Sequence, residues 1–99
     1  MSAYIVFHYN IKDRSRIDEL GPLSLPIVEQ FDGEICIASP VKNLEQSPYS
    51  HMVVYKFPSM EAATGYCESP AYRELSILRK QLVEGIAVLV PGFNQSDSM

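Results

Sequence analysis

Four short segments of this chain read as strands, and their apolar residues fall on both parities of the strand alternation. Successive side chains of a strand point to opposite faces of a sheet, so a sheet built from these segments has two faces to hide from water. Ala3 to Tyr9 (AYIVFHY) sets Ile5, Phe7 and Tyr9 against Tyr4 and Val6, and Met52 to Phe57 sets Val53, Tyr55 and Phe57 against Met52 and Val54. Glu34 to Ala38 and the wholly apolar Gly85 to Val90 complete the set, the last closed by Pro91-Gly92.

Helical periodicity fills two of the gaps. Ile17, Leu20, Leu23, Ile27, Val28 and Phe31 recur at spacings of three and four, with Asp13 placed to cap the start and Asp32-Gly33 placed as a left-handed stop. Gly21-Pro22 and Pro26 predict a break or kink near Pro22, because proline lacks an N–H and crowds the preceding turn. Pro58-Ser59 ends the third strand, and Ser59 with Glu61-Ala62-Ala63 opens a short helix; Glu61 suits a helix start, where free N–H groups await an acceptor. Ser69-Pro70 interrupts that helix before Tyr72, Leu75, Leu78, Arg79 and Leu82 resume the period. Ser39 to Ser50, with Pro40, Asn43 and Pro48, has no period and reads as a loop.

The order β-α-β-β-α-β with right-handed crossovers gives an α+β, ferredoxin-like sandwich: a four-stranded antiparallel sheet with its helices on one face. The other face remains apolar, and a patch larger than a few hundred Å² is not left in water by a stable monomer. A second copy laying its own sheet against it is the economical cover, so a homodimer through the open sheet face is expected. The domain is expected to span residues 1–93, with a disordered polar tail at 94–99.

With 99 residues the chain is one domain with a thin core, removing about 60 to 65% of its unfolded surface from water. A formal net charge of −4 and no basic run longer than Arg79-Lys80 exclude a phosphate-neutralising surface, so nucleic acid is not an expected partner. No apolar run approaches the roughly 20 residues that span a bilayer, and the first residues lack a signal-peptide pattern. No membrane partner and a cytoplasmic location are expected. Cys36 and Cys67 lack a CxxC spacing and read as two buried thiols rather than a zinc or redox pair. The five glycines are scattered and form no phosphate loop, so neither a nucleotide nor another cofactor is expected.

The stretch from Phe57-Pro58-Ser59-Met60-Glu61-Ala62-Ala63 through Ser69-Pro70-Ala71-Tyr72 to Leu75 and Leu78-Arg79 resembles the domain-of-unknown-function family numbered thirteen-thirty, in the dimeric α+β barrel superfamily. The resemblance extends from Tyr4 to Gly92. Where family members tend to carry two glycines before the second strand this chain has Asp32-Gly33, and where they carry an aromatic pair before Ser-Pro it has Tyr66-Cys67. The resemblance implies sheets paired face to face into a barrel and, in relatives, a small organic ligand held between sheet and helices. Some relatives are cofactor-free oxygenases or isomerases.

Few residues carry chemistry. His8, on the alternation shared by Tyr4, Val6 and Asn10, is the acid–base candidate, set against the alternative of a histidine satisfied by a neighbour. His51 opens the third strand and lies at the same end of the sheet, where the two rings could approach, but two histidines without a carboxylate or thiolate at ligand spacing do not make a metal site. Arg79 follows the apolar stripe of the last helix and can lean into a pocket to grip a carboxylate, or else pair with Glu61 or Glu84. Ser69 reads as a helix cap and not a nucleophile, since no Gly-x-Ser-x-Gly elbow surrounds it. Tyr66 and Tyr72 flank that turn and pack helix on sheet.

Three functions fit. In the first, a homodimer binds a small, mostly apolar organic molecule between sheet and helices through His8, Asn10, Tyr72 and Arg79. In the second, His8 moves a proton while Arg79 stabilises an anion, giving cofactor-independent isomerisation or oxygenation. In the third, the chain is an interaction module whose open sheet face serves only to dimerise or to engage another protein.

Overall fold

The computed structural model describes residues 1–93; the polar tail expected at 94–99 lies outside the described residues. The elements run β1 (Ala3–Ile11), a 3-10 turn (Ile17–Glu19), α1 (Leu20–Gln30), β2 (Glu34–Pro40), β3 (His51–Phe57), α2 (Met60–Glu68), α3 (Pro70–Leu82) and β4 (Val83–Pro91). The strands form one antiparallel sheet in the order β2-β3-β1-β4. This is the expected ferredoxin-like α+β sandwich.

The core lies between the sheet and the helices. Ala3, Ile5 and Phe7 of β1 and Tyr55 and Phe57 of β3 meet Val28 of α1 and Ala63 and Tyr66 of α2, all buried. Tyr66 is the hub: its ring lies 4.9 Å from Tyr72, 5.2 Å from Phe57 and 6.2 Å from both Phe31 and Tyr55, centroid to centroid.

The helices start and stop for local reasons, some unlike those expected. Asp13 does not cap a helix; its Oδ1 accepts the Ser15 N–H in an Asx turn, and helical structure begins only at Ile17. The break expected near Pro22 is present as two helical pieces: the 3-10 turn ends at Glu19 and α1 restarts at Leu20, with Pro22 at its third residue, in the first turn, where proline is tolerated. Pro26 is inside α1 on its exposed side, and the helix runs on through it to Gln30. At the end of α1 the Gly33 N–H bonds the Val28 carbonyl and the Asp32 N–H that of Glu29, a Schellman stop whose left-handed residue is Asp32, at φ 60°, and not the glycine. Gly33 is fixed instead by space, since a Cβ there would sit 2.6 Å from the Phe57 ring and 2.7 Å from Val28. The second junction behaves as read: Ser59 Oγ accepts from the Ala62 N–H, Ser69 Oγ accepts from the Tyr72 N–H and donates to the Tyr66 carbonyl, and Pro70 opens α3. Glu61 sits in the first turn of α2, but the cap bond belongs to Ser59.

Register decides the two faces of the sheet. A single row crosses all four strands on the side away from the helices, Ile37 opposite Val54, Val54 opposite Val6, and Val6 opposite Val88, so four β-branched side chains stand together. The next row along holds Met52, His8 and Ile86. Ile37, Ile86, Val88 and Val90 are all exposed on this face. A bulge in β2 places Cys36 as the extra residue between Ile35, which pairs with Tyr55 on the helix side, and Ile37, which pairs with Val54 on the open side. Cys36, expected to be buried, is therefore exposed on an edge strand without helix cover, whereas Cys67 is partly buried in α2; both are free thiols.

Candidate functional site

A cavity of about 190 Å³ opens between the sheet and the helices. Phe7 and Tyr9 of β1 with Val53 and Tyr55 of β3 form its floor, Leu20, Ser24 and Leu25 of α1 one wall, and Tyr72, Leu75 and Arg79 of α3 the other. The wall residues follow from helical spacing: Tyr72, Leu75 and Arg79 are three and four apart and share one face. The Ser69 cap and Pro70 set where α3 begins, and hence where that face lands. Gly85, directly across from Tyr9, adds floor without adding a side chain.

Arg79 is the one charged side chain among the lining residues. Its guanidinium carbon lies 4.9 Å above the centre of the Phe7 ring. Among the described residues it has no ion pair and no hydrogen bond; the expected partners Glu61 and Glu84 do not engage it, and the ion pair that is described joins Arg16 to Glu19 at 2.9 Å on the surface. The phenols around it are kept neutral. Burial pushes Tyr66 far above the ordinary phenol value of 10.0, the Tyr55 and Tyr72 phenols adding to the rise and Arg79 opposing it. Burial also raises Tyr55, with the nearby Ser24 hydroxyl and the Arg79 charge pulling the other way, and raises Tyr9.

These shifts have a sign. A phenol that holds its proton more tightly folded than unfolded changes nothing below pH 10, the unfolded value, and destabilises the fold above it, because there the unfolded chain ionises and the native one does not. The tyrosines' contribution is therefore flat in pH up to 10 and then falls, by up to about 1.4 kcal/mol per pH unit for each, and the Cys67 thiol, raised by burial from 9.0, adds a smaller decline that begins above pH 9. Urea unfolding of the chain and of Tyr66→Phe between pH 8 and 11 checks this: the variant must show the shallower alkaline slope.

The sheet divides the expected contact residues. Tyr72 and Arg79 line the cavity, while His8 and Asn10 stand on the opposite face, sharing their parity with Tyr4 and Val6 as expected. Asn10 holds the loop before β3, donating through Nδ2 to the Pro48 carbonyl at 2.7 Å and accepting the Ser50 N–H through Oδ1 at 3.0 Å. His8 packs edge-on to Tyr49, ring centres 5.3 Å apart, and its Nε2 is shielded with no hydrogen-bond partner among the described residues. The two histidines do not meet. His51 pairs with Tyr9, stacks on its ring at 5.8 Å on the helix side, and shares a 2.7 Å hydrogen bond between Nδ1 and the Ser50 hydroxyl. Among the described residues no group of three or more His, Cys, Asp or Glu is gathered as metal ligands, and no helix is long and apolar enough to cross a membrane.

Sequence reasoning missed Tyr55 and Ser24 as lining residues. Tyr55 had a signal, since it shares the parity of Val53 and Phe57. Ser24, the buried polar side chain of the described core, had only its place one turn before Val28 on α1.

The fold has solved counterparts. The RPA0582 protein of unknown function from Rhodopseudomonas palustris matches with a TM-score of 0.72 at 17% identity, over 94% of this chain and 83% of that one. A dimeric ferredoxin-like protein of unknown function from Jannaschia sp. CCS1 matches with a TM-score of 0.67 at 17% identity, over 91% and 96%. SnoaB, a cofactor-independent oxygenase from Streptomyces nogalater, matches with a TM-score of 0.69 at 7% identity, over 95% of both. Such identities establish a shared architecture. None of the curated proteins matches. The model of the family described as a domain of unknown function, DUF1330, matches residues 2–93, and the chain belongs to that family.

Proposed function

We propose that the protein is a homodimer that binds a small organic molecule in the cavity between sheet and helices. The observation that carries the reading is the cavity itself: about 190 Å³, mostly apolar, with Arg79 in its wall and without an ion pair among the described residues. An engineered cavity of roughly 150 Å³ holds a benzene molecule, so this one suits a single ring with a small substituent. A panel of one-ring aromatic compounds, neutral and charged, titrated against methyl NMR signals of Leu25, Val53 and Leu75 tests it. At least one compound is expected to give saturable shifts that vanish in Leu75→Trp; a panel without shifts overturns the reading.

Dimerisation is supported by the open face. The Ile37–Val54–Val6–Val88 row and its exposed neighbours Ile86 and Val90 form an apolar surface on the sheet. The Jannaschia protein of like fold is described as dimeric. Sedimentation equilibrium is expected to give twice the 11.1 kDa chain mass. Val88→Glu, placing two like charges across the symmetric contact, is expected to give a folded monomer at micromolar concentration; a native protein that already sediments as a monomer removes the dimer.

Any acid–base role of His8 belongs to that open face and not to the Arg79 cavity, so cofactor-independent catalysis by the two together in one cavity is the weaker reading. We place the protein in the cytoplasm, where an exposed free thiol such as Cys36 stays reduced.

A further inference from the structure

Resting on the cavity-binding reading above, we infer that the ligand is a small aromatic monoanion, a carboxylate or an equivalent planar oxyanion, with its charged end at Arg79 and its ring among the tyrosines. The cavity has a polar corner and an apolar body. Arg79, Tyr55 and Ser24 all line it, and the Arg79 guanidinium stands over the Phe7 ring of the floor, 4.9 Å from its centre. The guanidinium is permanently charged, half-buried, and without an acid among the described residues to balance it.

A partly desolvated cation without a counter-charge is an attractive site for an anion, and the planar fork of guanidinium N–H donors matches the two oxygens of a carboxylate. Among the described residues no carboxylate side chain lines the cavity to repel one. The phenols add direction. Tyr55 and Tyr66 line the cavity as phenols, protonated at neutral pH, so they can donate hydrogen bonds to an oxyanion and present no negative charge of their own. The remaining walls are rings and branched aliphatic chains, with Phe7 already accepting Arg79 on its face. That arrangement suits a flat ring edge-on or offset against aromatic neighbours. A neutral ring would fill the same space but leave the guanidinium unanswered, and a long acyl chain exceeds the volume.

Benzoate and its neutral isostere benzamide separate the claims, each titrated by NMR against the full chain and against Arg79→Gln and Arg79→Lys, with folding of each variant checked by thermal melting. Benzoate is expected to bind at least tenfold more tightly than benzamide to the native protein. Arg79→Gln should erase that preference while leaving benzamide binding in place, and Arg79→Lys should keep part of it, because a point charge survives without the fork. Equal binding of the two compounds, or benzoate binding untouched by Arg79→Gln, overturns the anion assignment while leaving the cavity reading intact. Shifts from neither compound overturn the anion assignment outright, and the wider panel then decides the cavity reading separately.

Discussion

Tyr66→Ala is expected to destabilise the protein by about 3–5 kcal/mol, a large share of the 5–15 kcal/mol that holds a typical domain together. Tyr66 is 1% exposed and is the point where four aromatic side chains, Phe31, Tyr55, Phe57 and Tyr72, converge. Truncation loses the transfer free energy of the ring and its edge-on contacts, each worth about 0.5–1.5 kcal/mol beyond burial. It also opens a void beside the existing cavity, where the surroundings have little freedom to collapse. Tyr66→Phe keeps the ring and should cost far less at neutral pH. Urea titration followed by far-ultraviolet circular dichroism at fixed protein concentration measures both; a loss below about 1 kcal/mol in Tyr66→Ala would mean that the ring is not the hub of the core.

The second large effect has a sign that strand propensity gets wrong. Glycine inside a strand is ordinarily a weak point, and alanine there is worth about 0.5–1 kcal/mol in the chain's favour. At position 85 the expected result of Gly85→Ala is instead a loss of about 3 kcal/mol, at the upper end of overpacking costs. A Cβ there would overlap the His8 carbonyl oxygen and come within 2.6 Å of the Tyr9 Cα, and both obstacles are backbone of β1, which cannot rotate away. Relief requires β4 to move off β1, breaking ladder pairs around Tyr9 and narrowing the cavity floor. The same titration, with amide exchange on β1 and β4, reads the loss and its location. An unchanged or raised midpoint would sink the argument. At Gly21, by contrast, a Cβ would meet nothing within 4 Å, so Gly21→Ala serves as the control.

Much of the architecture was legible from local chemistry. The Ser59 and Ser69 hydroxyls, Pro70 and the alternation of β1 and β3 mark their elements because each acts within a few residues of itself. The same holds for the parity that groups His8 with Asn10. The cavity was only half legible: Tyr72 and Arg79 follow from spacing on α3, but Ser24 and Tyr55 come from elements whose meeting no local rule specifies. The bulge at Cys36 shows why. Ile35 and Ile37 share a parity in the sequence, yet one inserted residue turns them to opposite faces, and it is visible only once β2 is paired with β3. Likewise Pro22 signals a break in the sequence, but only the structure shows its form, a 3-10 turn ending at Glu19 and an α-helix restarting at Leu20 with Pro22 in its first turn.

By itself, then, the sequence determined the strands, the helices, their order and the need to hide two sheet faces, since propensity, capping and periodicity are short-range. Which face His8 joins relative to the helices, whether Arg79 finds an acid, and where a void remains were decided by the tertiary structure. Those outcomes depend on register and on the packing of residues distant in the chain: Arg79 lies over Phe7 and not beside Glu61 or Glu84, and position 85 admits only glycine because its pairing with Tyr9 brings the β1 backbone against it.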